Sequence, residues 1–208
     1  MSTSLARRER AGLCDAALAA RPDAPTLCDG WTVRDLVCHL IVRERMPWAA
    51  PGLVIPPLSG LVDRATASLA RTPFESLVAR FGDTRRTPFA LDRVDRVANT
   101  LELFVHHEDI RRAQPGWEPR VLDAASEREL WGYVSGMGRL LVRPAGVPVA
   151  ITDGSRTATL RRGSDPATVT GPVGELVLFL FGRHELGALS FDGPPDAVAR
   201  LRGASLGI

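Results

Sequence analysis

Apolar residues in the first two thirds of the chain recur every three or four positions, the spacing of helices that bury one face. Clusters of Pro and Gly separate these segments. Thr32, followed three residues later by Asp35, matches the capping-box pattern that starts a helix. The number of long segments is typical of a four-helix bundle. The predicted long helices cover 3–20, 33–45, 92–113 and 124–142, and two shorter ones cover 61–70 and 74–81.

The pattern changes near residue 144, where short alternating runs begin to predict strands. Two such runs flank Asp153 and Gly154, a dipeptide typical of tight hairpin turns. The segments ATVTG and LSFDG predict two more short strands, and a strongly apolar run between them predicts a short helix. We therefore expect a mainly α N-terminal four-helix bundle over 1–143 and a small α+β C-terminal domain over 144–208.

The predicted helix over 92–113 carries polar residues between two apolar flanks. Asp95, Asn99, Glu102, His106 and Asp109 follow at intervals of three or four and therefore share one stripe. Carboxylates and imidazoles on a buried stripe need a partner, and a metal ion is one. Glu102 and His106, one turn apart, can bind the same ion. The residues expected to face solvent are Arg96, Thr100, His107 and Arg111.

A third histidine lies on another predicted helix. His39 sits at the edge of the apolar face of the helix over 33–45. Two antiparallel helices packed side by side would bring it to Glu102 and His106. A histidine at the margin of an apolar face is more often a hydrogen-bonded core residue than a ligand, so both interpretations are open at this point.

Composition narrows the classes of function. The 208 residues include 26 basic side chains, all arginine, and 24 acidic ones, for a net charge of +2. Nucleic-acid binding needs a basic surface and is therefore unsupported. No apolar run approaches the ~20 residues that span a membrane. Cys14, Cys28 and Cys38 lack metal-binding spacing and are expected to be reduced thiols of a soluble, cytoplasmic protein.

Two helical segments carry a resemblance to a known family. CDGWTVRDLVCHL and NTLELFVHHEDIRRA resemble the mycothiol-dependent maleylpyruvate isomerase family and the actinobacterial proteins related to it. The segment VTGPVGELVLFLFGR extends the likeness into the C-terminal part. The resemblance implies a DinB-like four-helix bundle followed by a small α+β domain of sterol-carrier-like topology. Basic residues that are all arginine indicate a GC-rich genome, which is consistent with an actinobacterial host.

The resemblance also implies a metal site. Two histidines and a glutamate hold a divalent ion in the family, typically zinc, with nickel as an alternative, and leave one position open for water or substrate. Carried over to this chain, the ligands are His39, Glu102 and His106. Asp109 and Asn99 are candidates to orient a ligating imidazole by hydrogen bonding, and an ordinary surface position is the alternative for Asp109.

The implied activity is that of a metal-dependent enzyme, a thiol-dependent isomerase or transferase acting on a small molecule. In the family, a low-molecular-weight thiol, mycothiol, adds to a double bond of the substrate and leaves after rotation about that bond. An arginine of the C-terminal domain is thought to assist, and Arg183 in LFGR is one candidate among several.

Two alternatives remain open. The same ligands would allow a metal-bound water to hydrolyse a substrate, and thiol dependence of activity separates that case from the first. The chain could instead be a non-catalytic protein that binds a metal or a lipid-like ligand. In each case the expected partners are small molecules, without nucleic acid or membrane, and the expected state is a monomer or a homodimer.

Overall fold

A computed structural model describes residues 3–184 and 186–207 and confirms the predicted fold class. Helices make up the N-terminal part, and a small four-stranded sheet with helices follows. The chain divides into two compact units, Met1–Trp117 and Glu118–Ile208. Among the described helices, none combines the length and the apolarity needed to cross a bilayer.

Helices of the N-terminal unit begin and end close to the predicted positions. They are α1 (Leu5–Ala20), α2 (Val33–Arg45), α3 (Ser59–Leu69), α4 (Phe74–Gly82) and α5 (Asp92–Arg112). The capping box at the start of α2 is confirmed. The Thr32 hydroxyl accepts from the Asp35 backbone N–H at 3.3 Å, and the Asp35 carboxylate accepts from the Thr32 backbone N–H at 2.9 Å. This exchange satisfies two helix-end donors and sets where α2 begins.

The core of this unit lies between α1, α2, α4 and α5. α1 packs against α5, α4 and α2, and α2 packs against α4 and α3. Leu13, Leu36, Leu77 and Leu103, one from each of the four helices, are fully buried in one apolar cluster. α4 is therefore part of the core of this unit, although the sequence pattern predicted it only as one of the shorter helices.

The second unit contains the sheet. Its elements are α6 (Ala124–Leu141), β1 (Val149–Thr152), β2 (Thr157–Arg161), β3 (Ala167–Thr170), α7 (Val173–Leu180), β4 (Ser190–Asp192) and α8 (Pro195–Gly203). The strand order is β2-β1-β3-β4, with β1 and β3 parallel and the outer pairs antiparallel. Every residue of α7 is buried, which explains its continuous apolar sequence.

The division between the units differs from the boundary predicted near residue 144. α6 packs against α7 and β2 and is grouped with the sheet. The change from a helical to a strand pattern shows where the first strand begins. It does not show which elements the preceding helix packs against. The organisation into domains 1–143 and 144–208 stays a prediction.

One face of α5 was predicted incorrectly. Thr100 and His107, expected in solvent, are buried with 1% and 8% of their surface exposed. Nδ1 of His107 lies 2.8 Å from Oε2 of Glu9, because α5 packs along α1 on this side. Val97, which belongs to the apolar arc of the sequence pattern, is instead 69% exposed.

The contact between α1 and α5 yields a stability prediction. A Cβ added at Gly12 would lie 2.5 Å from Cε1 of the buried His107. We expect Gly12→Ala to lower the free energy of unfolding by about 1–3 kcal/mol through overpacking, although alanine favours helix. Urea unfolding followed by circular dichroism measures the change.

Gly132→Ala is the matched control for this substitution. Gly132 also lies within a helix, α6, but a Cβ there meets nothing within 4 Å. The control should therefore raise stability by about 0.5–1 kcal/mol. If both substitutions stabilise to the same extent, the close approach of α1 to His107 is refuted.

Candidate metal centre

The three side chains predicted as metal ligands meet at one oxygen atom. Oε1 of Glu102 lies 3.3 Å from Nε2 of His106 and 3.6 Å from Nε2 of His39. One ligand atom from each of the three residues lies within 4.8 Å of the other two. α5 supplies two of them from adjacent turns, and α2 supplies the third. The helices thus bring the side chains together as the sequence pattern predicted, and their role as metal ligands stays a prediction.

A third nitrogen, from Arg43, approaches the same oxygen. Nε of Arg43 lies 3.4 Å from Oε1 of Glu102. The guanidinium also donates to Oδ1 of Asn99 at 2.6 Å and to the carbonyl of Ala98 at 3.0 Å. Sequence reasoning did not assign Arg43 to the site. Its position four residues after His39 on α2 places both on one helix face, which is the available signal.

Asp109 holds the other side of the His106 ring. Its Oδ2 lies 2.9 Å from Nδ1 of His106, and the carboxylate is fully buried. An ionised carboxylate can only accept a hydrogen bond, so Nδ1 carries the proton. Once Nε2 gives up its own proton, its lone pair would point to the side where Glu102 lies, which is the arrangement that a metal-ligating histidine needs.

Cys28 joins this second side of the ring and was missed from the sequence. Its Sγ donates to Oδ2 of Asp109 at 3.3 Å and lies 3.9 Å from Nδ1 of His106. Cys28, His106 and Asp109 therefore form a second group that could hold an ion. This group would use Nδ1 of His106, whereas the first group uses Nε2. A metal at Nδ1 would replace the hydrogen bond with Asp109, just as a metal at Nε2 would replace the contact with Glu102.

His39 is positioned differently from His106. Within the described part of the chain, its Nδ1 is buried without a hydrogen-bond partner. Its ring packs against Trp31, with 5.0 Å between centroids, and lies 5.5 Å from the ring of His106. Packing therefore orients the His39 ring, while hydrogen bonding orients His106.

Burial and the neighbouring polar groups shift the pKa values of Glu102 and His106 in opposite directions. Burial alone would raise the pKa of the Glu102 carboxyl, but His106, His39 and the charge of Arg43 lower it below its ordinary range. Burial alone would lower the pKa of His106, yet hydrogen bonding to Asp109 and Glu102 raises it well above its ordinary value. Both shifts favour the charged forms of Glu102 and His106, so a metal ion at Nε2 of His106 would compete with a proton there.

A buried network connects Arg43 to α1. Asn99, which accepts from Arg43, donates through Nδ2 to Oδ1 of Asp95 at 2.7 Å. The same Asp95 oxygen accepts from Arg10 at 2.9 Å, and Arg10 also donates to both oxygens of Glu44 at 2.8 and 2.9 Å. Side-chain exposure of Arg10, Glu44 and Asp95 is at most 5%. A chain of polar contacts therefore runs from α1 through α5 to the guanidinium beside Glu102.

Comparison with known proteins agrees with this architecture. Residues 3–57 match a family model described as "Mycothiol maleylpyruvate isomerase N-terminal domain", a range that includes His39 and ends before Glu102 and His106. The crystal structure of the mycothiol-dependent maleylpyruvate isomerase is similar to this chain, with 18% identity, 90% of each chain covered and a TM-score of 0.58. A histidine-to-alanine variant of that isomerase aligns with 17% identity, the same coverage and the same TM-score. These two likenesses are of fold. No curated protein sequence matches the chain.

Removing Arg10 tests the buried network. Arg10→Met leaves Glu44 and Asp95 as buried carboxylates without their cation, so we expect a loss of about 3–5 kcal/mol in unfolding free energy near pH 7.5. Burial already raises the pKa of Glu44, with Arg10 opposing the shift. Removing the guanidinium raises it further, so the penalty should shrink as the pH falls and Glu44 takes up a proton.

Urea unfolding of the wild type and Arg10→Met at about pH 7.5 and about pH 5 measures this difference. Arg93→Met, at an exposed position of α5, is the control for loss of a positive charge and should change stability by less than about 0.5 kcal/mol. An equal loss at both pH values for Arg10→Met would contradict the charge-based explanation.

Proposed function

We propose that this chain is a metal-dependent enzyme that uses a small thiol, and the match of residues 3–57 to the mycothiol maleylpyruvate isomerase N-terminal domain supports this proposal. The observation that supports this most strongly is the meeting of two imidazole nitrogens and a carboxylate oxygen within 4.8 Å of one another. Three protein ligands of this kind leave a fourth position free, as in catalytic rather than structural zinc sites.

The donor set fits a zinc ion. The proposed ligand atoms are Nε2 of His39, Nε2 of His106 and Oε1 of Glu102, which approach one another in a partly buried site. Imidazole and carboxylate ligands suit zinc, and nickel is the alternative that the same donors accept. Asp109 fits the role of a partner that fixes the His106 tautomer.

The proposed reaction is a thiol-dependent isomerisation or transfer on a small molecule. A bound zinc ion would lower the pKa of a thiol coordinated to it. The sulfur of the thiol would bond to one carbon of a carbon–carbon double bond, permit rotation about the remaining single bond, and leave with its electron pair. The step is redox-neutral and returns the thiol. Glu102 and the two histidines would hold the metal, and Arg43 would offset negative charge beside it.

Mycothiol is the proposed thiol, since it is named with the solved isomerase that shares this fold. Maleylpyruvate, the substrate of that enzyme, is the first compound to test here. For the substrate of this chain we propose a class, a small molecule with an activated double bond. Within the described residues, Cys14, Cys28 and Cys38 form no disulfide bond, and a reducing, cytoplasmic location is part of the proposal.

Metal content tests the proposed ligands. We expect tag-free wild-type protein to take up about one zinc ion per chain and His39→Ala, Glu102→Ala and His106→Ala each to lose it, because two remaining ligands hold zinc weakly. Elemental mass spectrometry after dialysis against zinc measures the content, with a parallel nickel series. Circular dichroism checks that each variant is folded.

His184→Ala is the control for this series, since His184 is exposed and belongs to the other unit. It should retain the zinc content of the wild type. The proposed site is refuted if all three ligand variants retain zinc or if the wild type takes up none.

Activity tests the proposed chemistry. We expect zinc-loaded protein to isomerise maleylpyruvate, or a related unsaturated acid, only when mycothiol is present. His106→Ala should lower kcat/KM at least about 100-fold, since even partners of metal ligands contribute 10–100-fold. The loss of the substrate's ultraviolet absorbance follows the reaction.

The alternatives give different outcomes in the same assay. Turnover that needs the metal but no thiol would point to metal-assisted hydrolysis instead. Tight binding of small ligands without turnover under any condition would point to a non-catalytic binding protein.

A further inference from the structure

Arg43 is bound more firmly beside the candidate metal centre than a surface arginine would be. Its side chain is 26% exposed, and its guanidinium contacts Glu102, Asn99 and the carbonyl of Ala98. Asn99 is itself fully buried and bonded to Asp95. The network that begins at Arg10 therefore fixes the position of a positive charge next to Oε1 of Glu102.

This positive charge competes with a metal ion. Nε of Arg43 lies 3.4 Å from Oε1 of Glu102, the oxygen that the proposed ion would bind. The contacts with Asn99 and Ala98 do not involve that oxygen, so they would hold the guanidinium in place after loading. A divalent ion would then sit close to a fixed cation and share with it a single carboxylate oxygen, which disfavours loading.

An added anion would relieve this repulsion. The guanidinium carries more N–H groups than its contacts with Glu102, Asn99 and Ala98 use, and it is partly open to solvent. A monovalent anion that binds the metal and also contacts the guanidinium would interact with both positive charges. Planar carboxylates match guanidinium geometry, and thiolates bind zinc, so either could fill this place.

We propose that Arg43 makes the candidate metal centre select an anionic ligand, so that metal and anion bind cooperatively. This inference rests on the metal site of the proposed function. Arg43 weakens the binding of metal alone and strengthens its binding together with the anion. By linkage, the metal raises the affinity for the anion by the same factor. The ligand is the carboxylate of a substrate or the thiolate of a thiol.

If Arg43 had a purely structural role, its removal would change the zinc affinity in the opposite direction. Arg43 connects α2 to α5 through Asn99 and Ala98, and removing a tether between the helices that carry the ligands would weaken metal binding. Removing a competing charge would strengthen it. The direction of change in zinc affinity therefore distinguishes the two roles.

Zinc titration in competition with a chromogenic chelator tests the proposal on the full chain. Wild type and Arg43→Met are compared alone, with acetate, and with 2-mercaptoethanol, at equal free zinc. We expect Arg43→Met to bind zinc about fivefold more tightly without an anion, the size of effect of a partly exposed charge pair. It should also lose most of the gain in affinity that the anion produces in the wild type. Whichever of acetate and 2-mercaptoethanol produces the larger gain identifies the ligand as carboxylate or thiolate.

Two control variants separate charge from other effects. Arg43→Lys keeps a positive charge and should lie closer to the wild type than Arg43→Met does in both zinc affinity and anion coupling. Arg64→Met removes a charge at an exposed position of α3 and should change neither. If Arg43→Met is misfolded by circular dichroism, Arg43→Gln replaces it with the same expectations.

Outcomes that overturn the inference differ from those that overturn the proposed function. Equal or weaker zinc binding by Arg43→Met, or no gain in the wild type from either anion, overturns the role of Arg43 and leaves the metal site standing. Failure of the wild type to bind zinc overturns the metal site and the inference with it.

Discussion

The convergence of three side-chain nitrogens on Oε1 of Glu102 is the constraint on which the rest of the site depends. His39 and Arg43 approach this oxygen from α2, while Glu102 and His106 share α5. The arrangement exists only if the two helices keep their relative register. Several contacts serve that end: the capping box sets the start of α2, the backbone N–H of Leu27 donates to the carbonyl of Asp109 at 3.0 Å, and the Arg10 network joins α1, α2 and α5.

Spacing along the chain predicted the helices well and the candidate site in part. The interval between Glu102 and His106 places both on one face of any helix, so that pair follows from local geometry. Arg43 and Cys28 did not follow, because their approach depends on how α2 and the preceding loop pack against α5. His107 was misplaced for a related reason. Periodicity shows which residues share a face, but not that a second face of the same helix packs against α1.

The functional conclusion depends on the site more than on the fold. The fold is shared with a mycothiol-dependent isomerase at 18% identity, and one fold commonly supports several chemistries. The site itself is an electrostatic arrangement in which a carboxylate lies between two imidazoles and a guanidinium, and the buried Asp109 contacts one of the rings. Such a cluster is costly to maintain without a ligand that uses it, because each charge in it is partly desolvated.

X-ray absorption at the zinc edge of the loaded protein tests the central claim most directly, since it reports the atoms bound to the metal. We expect a first shell of nitrogen and oxygen only, at about 2.0–2.2 Å, with outer scattering from two imidazole rings. That result would assign the ion to His39, Glu102 and His106. A sulfur neighbour at about 2.3 Å with scattering from a single imidazole would contradict it and place the ion between Cys28, His106 and Asp109.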